Sequence, residues 1–196
     1  MSKTVHLRPM TTADTAKIVA WRNKDFVRHN FIYQEPFTEA GHLAWIRSQV
    51  EPGHVVQFII CLDDGREIGS VYFRDIDREK KTAEYGIFIG EEDAVGCGYG
   101  SQTAKLALAY AFGTLGLRRV FLRFLEENVG ARISYERAGF HLIEGKEEIV
   151  SLRQGERRVL FMESDEDTWR EAYATGLQAQ SIVGMKTNIG NGEEDE

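Results

Sequence analysis

The chain has 196 residues, 42% hydrophobic and 28% charged, with 24 basic against 31 acidic side chains and a formal net charge of −7. That balance suits one globular domain with a sizeable core and excludes a general nucleic-acid binder, whose surface would be basic. Two cysteines, Cys61 and Cys97, give neither a disulfide framework nor metal-ligand spacing, and the five histidines form no metal set. No apolar stretch is long enough to span a bilayer and Met1-Ser2-Lys3-Thr4 opens no signal peptide, so a reducing, cytoplasmic setting is expected.

Val5-His6-Leu7-Arg8 alternates as a short first strand. Thr11 to Asn23 reads as a helix with Thr12 or Asp14 near its start. Asp25 to Pro36 is expected to be irregular, with the rings of Phe26, His29, Phe31 and Tyr33. A second helix is predicted from Thr38, a fair N-cap, to Val50, and Pro52-Gly53 ends it. Val55 to Leu62 is a nearly continuous apolar run, hence a buried strand, and Asp63-Asp64-Gly65 turns it into a second strand at Ile68 to Phe73. A charged turn, Asp75 to Lys81, precedes the strand at Ala83 to Ile89, in which Gly86 suggests a bulge.

The next segment is the most telling. Val95-Gly96-Cys97-Gly98-Tyr99-Gly100 follows that strand and opens a helix running from Tyr99 to about Leu115, stopped by Gly116. A helix start carries unpaired N–H groups and partial positive charge, and alternate glycines remove the side chains that would hold an anion away. Gly96, Gly98 and Gly100 are therefore assigned to a pyrophosphate. Arg118 to Leu125 reads as a strand apolar on both faces, and Asn128 to Arg137 as a short helix that leaves through Ala138-Gly139-Phe140. Phe140 to Leu152 and Glu156 to Met162 form a long hairpin around Gln154-Gly155, which either lines a site or mediates a homodimer. Ser164-Asp165 caps a last helix with Trp169 and Tyr173, and from about Gly176 a glycine-rich, acidic tail is expected to be disordered. The expected fold is α/β of the α+β type, a mostly antiparallel sheet of about seven strands with helices on both faces. It occupies residues 1–164, and a C-terminal helix and tail occupy 165–196.

The run Ala83-Glu84-Tyr85-Gly86-Ile87-Phe88-Ile89 through Gly96-Cys97-Gly98-Tyr99-Gly100 resembles the acetyl-CoA-binding motif of the GNAT superfamily of acyltransferases. About thirty residues on, Asn128, Ala131, Tyr135, Gly139 and Phe140 match that family's second motif in order and spacing. The resemblance implies acetyl-CoA as cosubstrate, no metal, and a splay between the strand at Ile87 and the one at Val120. It further implies that Val95, Gly96, Cys97, Gly98, Tyr99, Gly100 and Ser101 cradle the pyrophosphate, that Ile87, Phe88 and Ile89 pair with the pantetheine arm, and that Asn128 contacts that arm. Val95 stands where the family usually has a basic or amide side chain.

Amine acetylation needs a neutral amine, and with an alkyl ammonium pKa of ~10.4 only about one molecule in a thousand is neutral near pH 7. Glu84 is the candidate base, through a water; its alternative role is a surface ion pair. Tyr135 is the candidate acid for the departing thiolate, against a packing role. Cys97 is read as an incidental exposed thiol and His42 with Trp45 as packing.

Trp21, Arg22, Asn23, Arg28 and Tyr33 are expected to build the acceptor side. Trp21-Arg22-Asn23 followed by His42 and Trp45 resembles members that acetylate nucleotide-linked amino sugars and the Rim-type ribosomal-protein N-terminal acetyltransferases, while Gln34-Glu35-Pro36-Phe37 resembles the spermidine acetyltransferases. From Trp21 to Gln34, Arg22, Lys24 and Arg28 outnumber Asp25, and a polyamine pocket should be acidic. The favoured acceptor is thus a small amine such as an amino sugar nucleotide. A protein N-terminus, a polyamine and a non-catalytic acyl-CoA-binding module are the alternatives.

Overall fold

In the computed structural model, which describes residues 4–173, a seven-stranded sheet runs in the order β1-β2-β3-β4-β5-β7-β6. The strands are β1 (Val5–Pro9), β2 (Val56–Leu62), β3 (Glu67–Asp77), β4 (Thr82–Ile89), β5 (Arg119–Leu125), β6 (His141–Leu152) and β7 (Gly155–Asp165). Only β4 and β5 pair parallel; every other neighbour is antiparallel. The helices are α1 (Thr15–Asn23), α2 (Asp25–Arg28), α3 (Glu39–Trp45), α4 (Tyr99–Gly113), α5 (Val129–Ala138) and α6 (Glu166–Tyr173). The expected tail beyond Gly176 lies outside the described residues.

Strand alternation divides the core between two faces. Phe58, Ile60 and Leu62 of β2 join Leu106, Leu108 and Phe112 of α4 in the larger cluster, to which α5 adds Tyr135 and α6 adds Trp169. Ile59 and Cys61 of the same strand join Ile18, Trp21, Val27 and Phe88 under α1 and α2. A strand buried on both sides has no polar face, which is why residues 55–62 read as an apolar run. On α4, Ala104, Ala107, Leu108 and Ala111 have no exposed surface. Small side chains bring the helix close to the sheet, and Leu108→Ala would cost about 2–5 kcal/mol through the cavity left behind.

Local chemistry sets the helix ends. Thr38 Oγ1 accepts from Gly41 N–H at 3.1 Å, and Asn128 Oδ1 accepts from Ala131 N–H at 3.1 Å, caps that typically contribute about 1 kcal/mol each. Asp165 Oδ1 accepts from Thr168 N–H at 2.9 Å at the start of α6.

Several expectations are corrected. The stretch from Asp25 is not wholly irregular: Lys24 is extended (φ −62°, ψ 134°) and breaks α1 from the single turn of α2. The helix expected to reach Val50 is α-helical only to Trp45 and then widens into a π turn at Ile46–Val50. β3 continues past Phe73 because Arg74 pairs with Glu84 across the sheet, and the register shift falls between Arg74 and Asp77, where Asp75 has φ 51°. Gly86 is therefore no bulge; it sits regularly opposite Tyr72, and a Cβ there would lie 2.2 Å from that ring. β5 buries Val120, Leu122 and Phe124 on one face and Leu125 on the other, where Phe121 and Arg123 are half-buried.

Candidate active site

The sheet forks beside α4. β4 pairs with β3 from Arg74–Glu84 to Gly69–Ile89, but with β5 only at Thr82–Arg119, Ala83–Val120 and Glu84–Phe121. Beyond Glu84 the two strands part, and β5 continues against β7 as far as Leu125–Val159. A pleated strand aims alternate backbone groups to its two sides, so part of the N–H and C=O set of residues 85–89 faces the gap without a strand partner. An extended arm could add there as a strand would.

The glycine loop lies at the end of β4. A short 3-10 turn, Glu92–Ala94, leads to Val95, whose N–H donates to Glu92 O at 3.1 Å. Gly96 (φ 76°) and Gly98 (φ 82°) adopt the left-handed conformation that side chains disfavour, and α4 begins at Tyr99. The amides of Tyr99, Gly100 and Ser101 have no carbonyl a turn earlier to receive them, and the Ser101 hydroxyl is buried without a partner. Bare amides, a helix start and an orphaned hydroxyl fit a diphosphate. Gly100 does a different job from its neighbours: a Cβ there would lie 3.0 Å from Ser134 Oγ, so its absence lets α5 sit against α4. The exposed Val95 side chain adds no charge, and the exposed Cys97 thiol donates to Asp93 O at 3.4 Å.

Tyr135 of α5 belongs to an edge-to-face group with Tyr85, Phe124 and Phe140, at centroid distances of 6.1, 5.8 and 5.9 Å. Burial, reinforced by Tyr72, pushes its phenol well above the ordinary tyrosine range, so the proton is held firmly. Asn128 spends its Oδ1 on the α5 cap. Glu84, 8% exposed at the root of the fork, accepts at Oε1 from Arg74 Nη2 at 2.6 Å and from Arg123 Nε at 3.3 Å.

Glu84, Gly86 and Phe88 alternate away from Tyr85 and so face the opposite side of the sheet. There a cavity of about 410 Å³ opens between α1, α3 and strands β2–β4, lined among others by Arg22, Tyr33, His42, Gln57, Tyr72 and Arg74. Arg22 is buried with its guanidinium 3.3 Å from the centroid of Phe31 and 4.6 Å from that of Phe37. Burial lowers its pKa to about 10.

Of the five residues expected on the acceptor side, Arg22 and Tyr33 line this cavity. Trp21 is core: its indole N–H donates to Glu91 at 2.7 Å and its ring covers Gly90. Asn23 clamps the Phe37 backbone in both directions, at 2.9 and 2.8 Å. Arg28 pairs with Asp25 and borders a separate surface niche with Arg153. Gln57, Tyr72 and Arg74 escaped the sequence reading, although Gln57 interrupts an otherwise apolar strand. His42, read as packing, stacks on Trp45 at 5.7 Å and also reaches the cavity.

A glycine loop opening a helix, a forked parallel strand pair, a buried phenol beside it and a cavity on the far face together describe an acyl-CoA-dependent transferase. Residues 4–141 match the profile of the acetyltransferase (GNAT) domain, and the chain belongs to that family. It is 31% identical over 147 residues to the spermidine N(1)-acetyltransferase of Escherichia coli (strain K12), covering 72% of this chain and 75% of that one. A probable N-acetyltransferase of Bacillus subtilis (strain 168) is 28% identical over 148 residues, covering 71% and 81%. A spermidine N-acetyltransferase from Vibrio cholerae, solved with CoA and spermine, superposes with a TM-score of 0.78 at 21% identity, covering 85% of this chain and 98% of that one. A dodecameric structure of spermidine N-acetyltransferase from the same organism superposes at 0.72 with 20% identity, covering 89% and 99%. The chain is an acetyl-CoA-dependent N-acetyltransferase. Among the described residues no cluster of histidine, cysteine and acidic side chains could hold a metal ion, and no helix is long and apolar enough to cross a membrane.

Proposed function

We propose that the chain transfers the acetyl group of acetyl-CoA directly to the primary amine of a small molecule seated in the Arg22 cavity, in a ternary complex. The observation that carries this reading is the fork: it opens between β4 and β5 with Tyr135 approaching from the α5 side and the cavity on the other. Donor and acceptor then meet through the sheet, each held by its own face, which supplies proximity without a covalent enzyme intermediate.

In this proposal the amides of residues 96–101 hold the diphosphate and the free backbone of Ile87, Phe88 and Ile89 holds the pantetheine arm. A backbone N–H of the same stretch stabilises the developing oxyanion. Tyr135, protonated at neutral pH, donates its phenolic proton to the sulfur as the C–S bond breaks. Glu84 takes the amine proton through water at Oε2, because both arginines bind Oε1.

The E. coli relative supports a polyamine as one acceptor class, and no relative described above supports an amino sugar nucleotide or a protein N-terminus. Thiol release from acetyl-CoA, measured against a panel of amines that includes spermidine, tests the function. Turnover with at least one small amine is expected. Tight coenzyme A binding with no turnover on any amine would leave the non-catalytic binding module as the better reading.

A further inference from the structure

Resting on the acetyl-transfer reading, we infer that the acceptor carries an anionic group, a carboxylate or a phosphate, and that Arg22 recognises it. Besides Arg74 Nε, which lacks a hydrogen bond but lies 3.7 Å from Asp75 Oδ2, three buried polar atoms of the residues lining the cavity have no partner: Arg22 Nη1, Gln57 Oε1 and His42 Nε2. Their residues are 5%, 6% and 4% exposed. Buried polar groups are almost always satisfied, and three unsatisfied ones around a single cavity mark what a ligand supplies.

The orientation of each group is set from behind. Gln57 Nε2 donates to Ser70 Oγ at 2.8 Å, and that hydroxyl donates to Phe58 O at 2.8 Å, which leaves Oε1 as the free end. His42 Nδ1 lies 3.1 Å from Thr15 Oγ1, which leaves Nε2. Phe31, Phe37 and Phe88 surround the Arg22 guanidinium, which can then bind only through its edge N–H groups.

Charge decides the class of ligand. Arg74, the other guanidinium in the lining, has Glu84 as its counter-ion. Arg22 has no carboxylate within ion-pair distance among the described residues, and none of the lining residues is acidic. A buried, uncompensated arginine is costly to maintain, and a bidentate anion is the group that best relieves it. A polyamine would bring further positive charge into the same space. Gln57 Oε1, an acceptor, suits an N–H or O–H of the same molecule.

The test uses two matched acceptor series with the full chain and acetyl-CoA. The first compares 4-aminobutanoate, n-butylamine and 1,4-diaminobutane; the second compares 2-aminoethyl phosphate with 2-aminoethanol. At least one anionic member should exceed its neutral partner in kcat/KM by roughly tenfold to a hundredfold, chiefly through KM. Arg22→Gln should bring that ratio close to one, and Arg22→Lys should restore part of it. If Arg22→Gln does not fold, the wild-type ratios decide alone. Neutral and anionic members reacting equally, or the diamine reacting best, would overturn the inference while leaving acetyl transfer intact; no turnover with any amine would overturn both.

Discussion

The two faces of the sheet present their candidate ligand-binding groups in different ways. The α4 face offers backbone: left-handed glycines at Gly96 and Gly98, bare amides at the start of α4 and an unpaired stretch of β4. The α1–α3 face offers side chains: a guanidinium caged by phenylalanines, an amide, an imidazole and the ring of Tyr72. Backbone recognition depends on chain conformation, and glycine spacing writes that conformation into the sequence. Side-chain recognition depends on which residues the sheet register happens to bring together. The first kind is shared by a family; the second is free to differ from one member to the next.

The sharpest way to break this division is at Tyr135, the side chain of the α4 face that we propose acts at the junction. Tyr135→Phe keeps the ring that packs on Tyr85, Phe124 and Phe140 and removes only the proton donor. We expect kcat to fall roughly a hundredfold to a thousandfold with acetyl-CoA KM changed by less than about threefold. Steady-state kinetics with both substrates varied checks this. An unchanged kcat would make Tyr135 a packing residue and leave the α4 face purely a holder of the acyl donor.

Glu84 is the next test, on the opposite face. Glu84→Gln should lower kcat/KM about tenfold or more near pH 7 and far less above pH 9, where a growing fraction of the amine is neutral without help. A pH–rate profile decides. A loss of equal size at every pH would reassign Glu84 to holding Arg74 and Arg123 in place.

These residues also mark where sequence reading reaches and where it stops. The caps at Thr38 and Asn128 and the loop from Val95 to Gly100 were legible because each depends on contiguous residues, while the splay beside Val120 was implied only by the family resemblance. Gln57, Tyr72 and Arg74 were not. Their approach to Arg22 requires the β2–β3 and β3–β4 registers, which place Gln57 opposite Tyr72 and Tyr72 opposite Gly86. The same registers explain the misread glycine: Gly86 is small because Tyr72 lies across it, a relation no local pattern reports. Trp21 was misassigned to the acceptor side for a similar reason, since only the fold shows its ring seated on Gly90.

That pairing offers a smaller perturbation. A Cβ at Gly86 would stand 2.2 Å from the far end of the Tyr72 ring, so Gly86→Ala must displace that ring, which lines the cavity. The expected result is an acceptor KM raised on the order of tenfold, with acetyl-CoA KM affected less. Equal changes in both constants would mean that the two faces are not independent at this point of β4.

The smallest expected effect concerns stability and bears on what anchors the side-chain face. Asp14, next to the start of α1, accepts from Arg8 at 2.6 and 2.9 Å and from Thr11 N–H at 2.8 Å, tying the acceptor-side helices to β1. Burial works to raise its pKa, but the bonds from Arg8 and Thr11 outweigh it and hold the carboxyl below its ordinary value. A carboxylate whose folded pKa lies below the unfolded one contributes stability above the unfolded value, about 3.9, and loses it as the pH falls through the folded value. Asp14→Asn should therefore cost about 1–3 kcal/mol at pH 7, a fall in Tm of about 2–4 °C per kcal/mol. The difference from the wild type should shrink below about pH 4. Heat unfolding across pH measures it. A deficit that persists undiminished at low pH would mean that the carboxylate's charge is not what secures α1 to the sheet, and that packing of Ile18 and Trp21 carries the anchoring instead.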